Sequence, residues 1–234
     1  MTEFTTWRSL VDGERISAIP DDENLQHHYD ATLIPGDDED RIETWGDQAG
    51  DDDLTQTTES DQPRLRTGAN GINNEQVLEG DGTEFMDVDW TQIGQPITIY
   101  LVAESASDGS NKNVFEMEPT AGDTARPQLQ QWRDGDDDLI FAGSNLQGQN
   151  STTNPHIFTI IFNGSNSLIR RDGSDDVSGD AGDTGDEGLT VFGRRDGADW
   201  DGKIGEIFIY DTDHDTSTQQ DVEAYLDDKW AILP

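Results

Sequence analysis

The string Glu84-Phe-Met-Asp87-Val-Asp89 sets three carboxylates close together in the chain. Two carboxylates on one strand face, about 5 Å apart, can divide the cleavage of a glycosidic bond between a nucleophile and a proton donor. With 51 acidic residues among 234, however, such proximity is expected by chance, and no catalytic residue is assigned. The four histidines, His27, His28, His156 and His214, offer no nucleophile set, because cysteine is absent and no serine sits in a G-x-S-x-G turn. His27 and His28 read as packing or surface residues rather than ligands.

Metal chemistry has three candidate stretches. Asp211-Thr-Asp213-His-Asp215 imitates the start of a calcium loop, but Thr216 replaces the required glycine and Val222 the chelating glutamate. It reads as a strand end followed by a helix cap. The runs from Asp134 to Asp138 and from Asp180 to Asp186 are able to hold Ca²⁺ or Na⁺ loosely through carboxylates and carbonyls. No ligand set is assigned in them, and no other cofactor is expected.

Sugar recognition asks for an aromatic face that stacks on C–H groups and for amides or carboxylates that meet hydroxyls. Trp132, Arg133, Asp134 and Asp136 have that composition at a hairpin. Arg194, Arg195, Asp199 and Trp200 have it in the loop before the last strand. If both tryptophans stand at loop tips, the two groups form a glycan-binding surface. Trp45, Phe208 and Trp230 are assigned to the core.

Those residues depend on a framework of strands. Residues 204–210 carry large apolar side chains on both faces, as a central strand covered on two sides must. Residues 97–103, 113–117, 128–132, 139–142, 157–162, 167–171 and 189–192 form further strands. The 128–132 and 139–142 pair reads as a hairpin, and Asn163-Gly164 signals another. A strand about every 8 to 12 residues describes an all-β sandwich. Residues 172–188 lack apolar periodicity and read as a mobile surface loop. Near the end, Asp215 caps a helix whose stripe of Val222, Tyr225, Leu226 and Trp230 faces the protein, while Glu223, Asp227 and Asp228 face water.

The order of these features resembles the concanavalin A-like lectin/glucanase superfamily, in its LamG-like jelly-roll branch. The C-terminal match runs through Asp201, Gly202, Ile204, Gly205, Glu206, Ile207, Ile209 and Tyr210, then Val222, Glu223, Tyr225, Leu226, Lys229 and Trp230. An N-terminal match lies at Trp45, Asp47, Ala49, Gly50, Asp53, Leu54, Thr55 and Gln56, continuing through Gln62-Pro63 and Asn70-Gly-Ile-Asn73. The resemblance implies an antiparallel jelly-roll β-sandwich over 25–234 with a short C-terminal helix. In the glucanase branch an E-x-D-x-x-E spacing supplies the carboxylates, and the string at Glu84 departs from it.

Residues 1–24 stand apart as an apolar segment too short for a core of its own, expected to dock against its own sandwich or a partner subunit. Their phrase TTWRSLVDGERISAIPD resembles leaders of structural proteins of tailed viruses of halophilic archaea. That likeness implies a non-enzymatic protein of the virion surface: a capsid decoration, turret or tail fibre. Its expected partners are other virion proteins, met through residues 1–24, further copies of itself, and host-surface glycans or the S-layer glycoprotein. The alternatives are a glycan-binding module of a haloarchaeal cell surface and, less readily, a glycoside hydrolase.

Composition agrees with a salt-adapted protein. A net charge of −37 pushes a compact domain apart, and molar salt, with a Debye length of about 3 Å at 1 M, removes most of that repulsion. The same charge argues against binding nucleic acid through phosphates, since carboxylates surround the few arginine pairs. No apolar run approaches the roughly 20 residues of a membrane helix, so no membrane insertion is expected, and the N-terminus shows no basic and apolar export signal.

Overall fold

The computed structural model describes residues 18–106, 112–117, 126–133, 137–194, 197–198 and 200–233, with backbone alone at 133, 197 and 198. Two large antiparallel sheets face one another. The first runs in the order Ser174–Gly179, Ser167–Arg171, Pro155–Phe162, Ile97–Ser105, Asp201–Tyr210, Asn74–Asp81, Arg64–Gly68, with Leu25–Asp30 also paired to Asp201–Tyr210. The second runs Asn145–Asn150, Asp137–Phe141, Gln128–Arg133, Lys112–Glu116, Gly188–Val191, Met86–Asp89, Leu54–Thr55, Thr44–Trp45. The expected all-β sandwich with one short C-terminal helix, Thr216–Trp230, is the architecture found.

The centre of the first sheet is double-sided. Ile97, Ile99 and Leu101 enter the core between the sheets, together with Ile204, Ile207 and Ile209. Tyr100, Val102, Phe208 and Tyr210 point the other way, into a smaller core closed by Val222, Leu226 and Trp230 of the helix. Strand alternation distributes these side chains, and the helix covers the face that the second sheet cannot reach. A register shift between Ile204 and Glu206 breaks the pairing of Asp201–Tyr210 with Ile97–Ser105. Gly205 lies there because a Cβ would come within 2.4 Å of the Trp230 ring.

The signature residues hold the helix down. Glu206, fully buried, accepts hydrogen bonds from Trp230 Nε1 and Lys229 Nζ, both 2.8 Å, and pairs with His28 Nε2 at 2.8 Å. Lys229 Nζ also donates to buried Asp30 at 2.7 Å. Glu223, assigned to water by the helical stripe, is instead buried and accepts from Arg170 Nε at 2.8 Å and Thr159 Oγ1 at 2.7 Å. A buried carboxylate is tolerable there because each partner replaces a lost water. Asp215 caps the helix as expected, accepting from Thr218 N at 2.9 Å.

One further expectation is corrected. Residues 172–188 are not a featureless surface loop: Ser174–Gly179 is the edge strand beside Ser167–Arg171, and Ala181 and Asp186 are buried. Asp186 accepts from Trp90 Nε1 and from the N–H groups of Ile93 and Gly94, which ties this stretch to the entry of the central strand. The end of the docking segment lies on the sandwich itself: Ile19 packs on the helix-side core, Tyr210 donates to Pro20 O at 3.0 Å, and Asp21 meets His214 Nε2 at 3.0 Å. The rest of the apolar segment lies outside the described residues.

Candidate functional site

The two tryptophans chosen as sugar platforms do not stand at loop tips. Trp200 is fully buried, and its Nε1 donates to Gln131 Oε1 at 3.0 Å. Trp132 is buried as well, with its backbone N–H on Ser151 Oγ at 2.9 Å and its Nε1 on Ser105 Oγ at 3.2 Å. Local composition resembled a binding tip, but Trp200 is part of the core between the sheets and Trp132 is buried outside both apolar clusters. Arg194 is half-buried, and the side chain of Arg133 lies outside the described residues with Asp134, Asp136, Arg195 and Asp199.

The carboxylate string is split as well. Glu84 precedes the strand, is buried, and accepts from Asp81 N at 2.8 Å, whereas Asp87 lies within Met86–Asp89. Burial pushes the Glu84 carboxyl up, and its hydrogen bond to Asp81 holds that neighbour down. The pair fixes the turn that leads into Met86–Asp89. Of the proposed cation loops, Asp138 is buried against Ser151 Oγ at 2.6 Å and Arg171 at 3.0 Å, and burial raises its carboxyl. Asp180 accepts from Gly182 N at 2.9 Å.

An unanticipated polar row crosses the outer face of the second sheet. Leu129, Ile140, Val191 and Met86 enter the core, so their strand neighbours Gln128, Gln130, Phe141, Thr190 and Asp87 point away from it. Register sets Thr190 beside both Asp87 and Glu116, Glu116 beside Gln128, and Gln128 beside Phe141. Asn113 donates to Gln128 Oε1 at 2.9 Å, and Gln130 shares that acceptor at 3.2 Å. Arg126 pairs with Glu116. These amides are buried although they lie outside the core, which makes them a floor rather than a rim. Thr190 Oγ1 is buried and has no hydrogen-bond partner among the described residues.

The row lines up side-chain amides, carboxylates, a hydroxyl and the half-buried Phe141 ring on one surface. Its sequence signal is the alternation of Gln128 and Gln130 about Leu129, which carries no aromatic residue to mark it as a sugar platform. A separate open groove of about 720 Å³ lies among Pro35, Glu39 to Glu43, Thr57, Glu59, Gln62 and Arg64, with no aromatic side chain in its lining. Arg41 there is spent on the Ser60 and Gln62 carbonyls, at 3.0 and 2.6 Å.

No protein-family model matches the chain, and no curated protein sequence does. Solved structures do. Trypanosoma rangeli sialidase in complex with sialic acid superposes with a TM-score of 0.65 at 10% identity, over 91% of this chain and 34% of the sialidase. The shared fold is an antiparallel all-β sandwich. This chain therefore spans about a third of that enzyme. Domain 4 of AbnA, a GH43 extracellular arabinanase from Geobacillus stearothermophilus, in complex with arabinotriose, gives 0.60 at 12% identity, over 86% of this chain and 98% of that domain. The binding domain of Paraclostridial Mosquitocidal Protein 1 gives 0.62 at 10% identity, over 88% and 52%. At these identities the likeness establishes the fold, and function must be argued from the site.

Proposed function

We propose that this chain is a non-enzymatic carbohydrate-binding module and that the outer face of its second sheet receives the sugar. The observation that carries the reading is the row Asp87, Thr190, Glu116, Gln128 and Gln130, which turns polar side chains away from the core while burying all of them but the half-buried Asp87. Such a row is costly to bury for stability alone, and it suits a ligand rich in hydroxyls, which accept from amide N–H groups and donate to carboxylates. Phe141 beside Gln128 supplies an apolar surface for ring C–H groups. Support also comes from AbnA domain 4, solved with arabinotriose and matched over nearly its whole length. The finer reading is a virion surface protein of a haloarchaeal tailed virus that adheres to host glycans. It rests on the leader phrase and on the net charge of −37.

The test measures binding of arabinotriose, of a panel of neutral and acidic oligosaccharides and of extracted S-layer glycans, in molar KCl. Wild type is compared with an Asn113→Ala/Gln128→Ala variant. The variant loses about tenfold or more in affinity with a modest fall in melting temperature, since of the groups bonded to Gln128 Oε1 only Gln130 remains to lose its acceptor. Unchanged affinity in the variant refutes the assignment of the face. Sugar released by wild type establishes a hydrolase instead. A labelled antibody against the chain, applied to purified particles, tests the virion location.

A further inference from the structure

Two clusters of one histidine and two carboxylates flank the strand Leu25–Asp30. Adjacent strand residues point to opposite faces, so His28 and His27 serve different clusters. The first, His28, Asp30 and Glu206, contains its own cation: the Lys229 ammonium bonds both carboxylates. The second, His27, Asp47 and Asp52, has no Lys or Arg within ion-pair distance among the described residues. A third carboxylate, Asp53, adds to it by accepting from Asp47 N at 2.8 Å. Two neighbouring sites of like composition thus differ in whether the positive charge is supplied by the chain.

The second cluster is held in place. Asp47 Oδ1 accepts from the N–H groups of His28 and Ala49, both at 2.9 Å, which leaves Oδ2 directed at His27 Nδ1, also 2.9 Å away. Asp52 Oδ2 stands 3.9 Å from the same nitrogen, and all three donor atoms lie within 4.8 Å of one another. Ligands bound at about 2.1 Å are about 3.0 Å apart at a right angle and about 3.4 Å apart at the tetrahedral angle, so the hydrogen-bonded His27 and Asp47 need to part by about half an ångström or less to share one ion. The Asp52 side chain is 43% exposed and gives an ion a way in. Imidazole nitrogen combined with carboxylate oxygen favours Zn²⁺, Mn²⁺ or Co²⁺ over Ca²⁺ and Mg²⁺, which take oxygen donors.

We propose that His27, Asp47 and Asp52 bind one divalent first-row transition ion, with water completing its coordination. The ion clamps the loop 46–53 to the first sheet and supplies the charge that Lys229 supplies next door. Trp90 reports on it, because its ring stacks on His27 with centroids 4.1 Å apart.

The experiment uses the full chain in about 1 M KCl, where screening weakens loose association with the other carboxylates, and with excess Mg²⁺ as competitor. Equilibrium dialysis against Zn²⁺ or Co²⁺ is expected to retain one equivalent, Zn²⁺ to raise the melting temperature, and Co²⁺ to quench tryptophan fluorescence. Asp52→Asn, at a half-exposed side chain, keeps the metal-free melting temperature and lowers affinity about tenfold or more. Trp90→Phe keeps the affinity and loses most of the quench. The proposal is overturned by wild type that retains no ion against Mg²⁺, by an Asp52→Asn variant of unchanged affinity, or by quenching that survives Trp90→Phe.

Discussion

Lys229→Met removes the only ammonium from the buried site that fastens the C-terminal helix, and the consequence can be worked out from its partners. Asp30 and Glu206 have side chains 1% and 0% exposed, and both lean on Lys229 Nζ. Methionine keeps much of the stem's packing but takes the ammonium away from two buried carboxylates. Breaking a buried pair in this way costs about 3–5 kcal/mol. The lower end applies, because the Lys229 side chain is 24% exposed and water can reach part of the site. For a chain of this size about 3 kcal/mol corresponds to a fall of about 6–12 °C in melting temperature. The pH dependence supplies the sharper check. In the wild type burial alone would raise Asp30, but Lys229, Thr32 and His28 override it and hold the carboxyl below its ordinary value. Its contribution is therefore present above the unfolded value of about 3.9 and is lost only as pH falls through the lower folded one. In the variant the two Lys229 contributions are lost, so burial weighs more heavily and the Asp30 carboxyl rises; the penalty is full at neutral pH and is relieved as pH falls toward about 4. Denaturant melts of both proteins at pH 7 and near pH 4.5, in the same molar KCl, should show the deficit shrinking at the lower pH. A variant within about 0.5 kcal/mol of wild type at pH 7, or an equal deficit at both values, refutes the reasoning.

Three other outcomes follow from the same packing. Trp200→Ala should cost about 3–5 kcal/mol in denaturant melts, because the ring is a core element; an unchanged midpoint would return it to the surface. Gly205→Ala should cost about 1–3 kcal/mol, since the new methyl meets the fully buried Trp230 ring, and a neutral result would mean that the helix end yields freely. Finally, 51 acidic against 14 basic residues predict a melting temperature much higher in roughly 3 M than in roughly 0.1 M KCl; equal values would end the salt-adapted reading.

The sequence by itself determined the sandwich. Alternation in 97–103, apolar residues on both faces of 204–210 and the stripe Val222, Leu226, Trp230 are local patterns, and burial simply executes them. The hairpin at Asn163-Gly164 was legible for the same reason, although its turn is a short 3₁₀ segment, Gly164–Asn166. What only the tertiary structure decided were the pairings between distant residues. Glu223 looked solvent-facing by helical spacing until Arg170, 53 positions earlier, met it in the interior. His28 and Glu206 are 178 positions apart, and nothing local announces their contact. Trp132 and Trp200 carried the composition of a sugar site, yet whether an aromatic ring stacks on a ligand or is buried in the fold depends on which strands close around it. The polar row of the second sheet was written as an alternation in 128–131, but only register shows that Glu116 and Thr190 from other strands extend it. Periodicity fixes which way a side chain points, because it is a property of one strand; partnership needs the sheet order, which is set by burial summed over the whole chain.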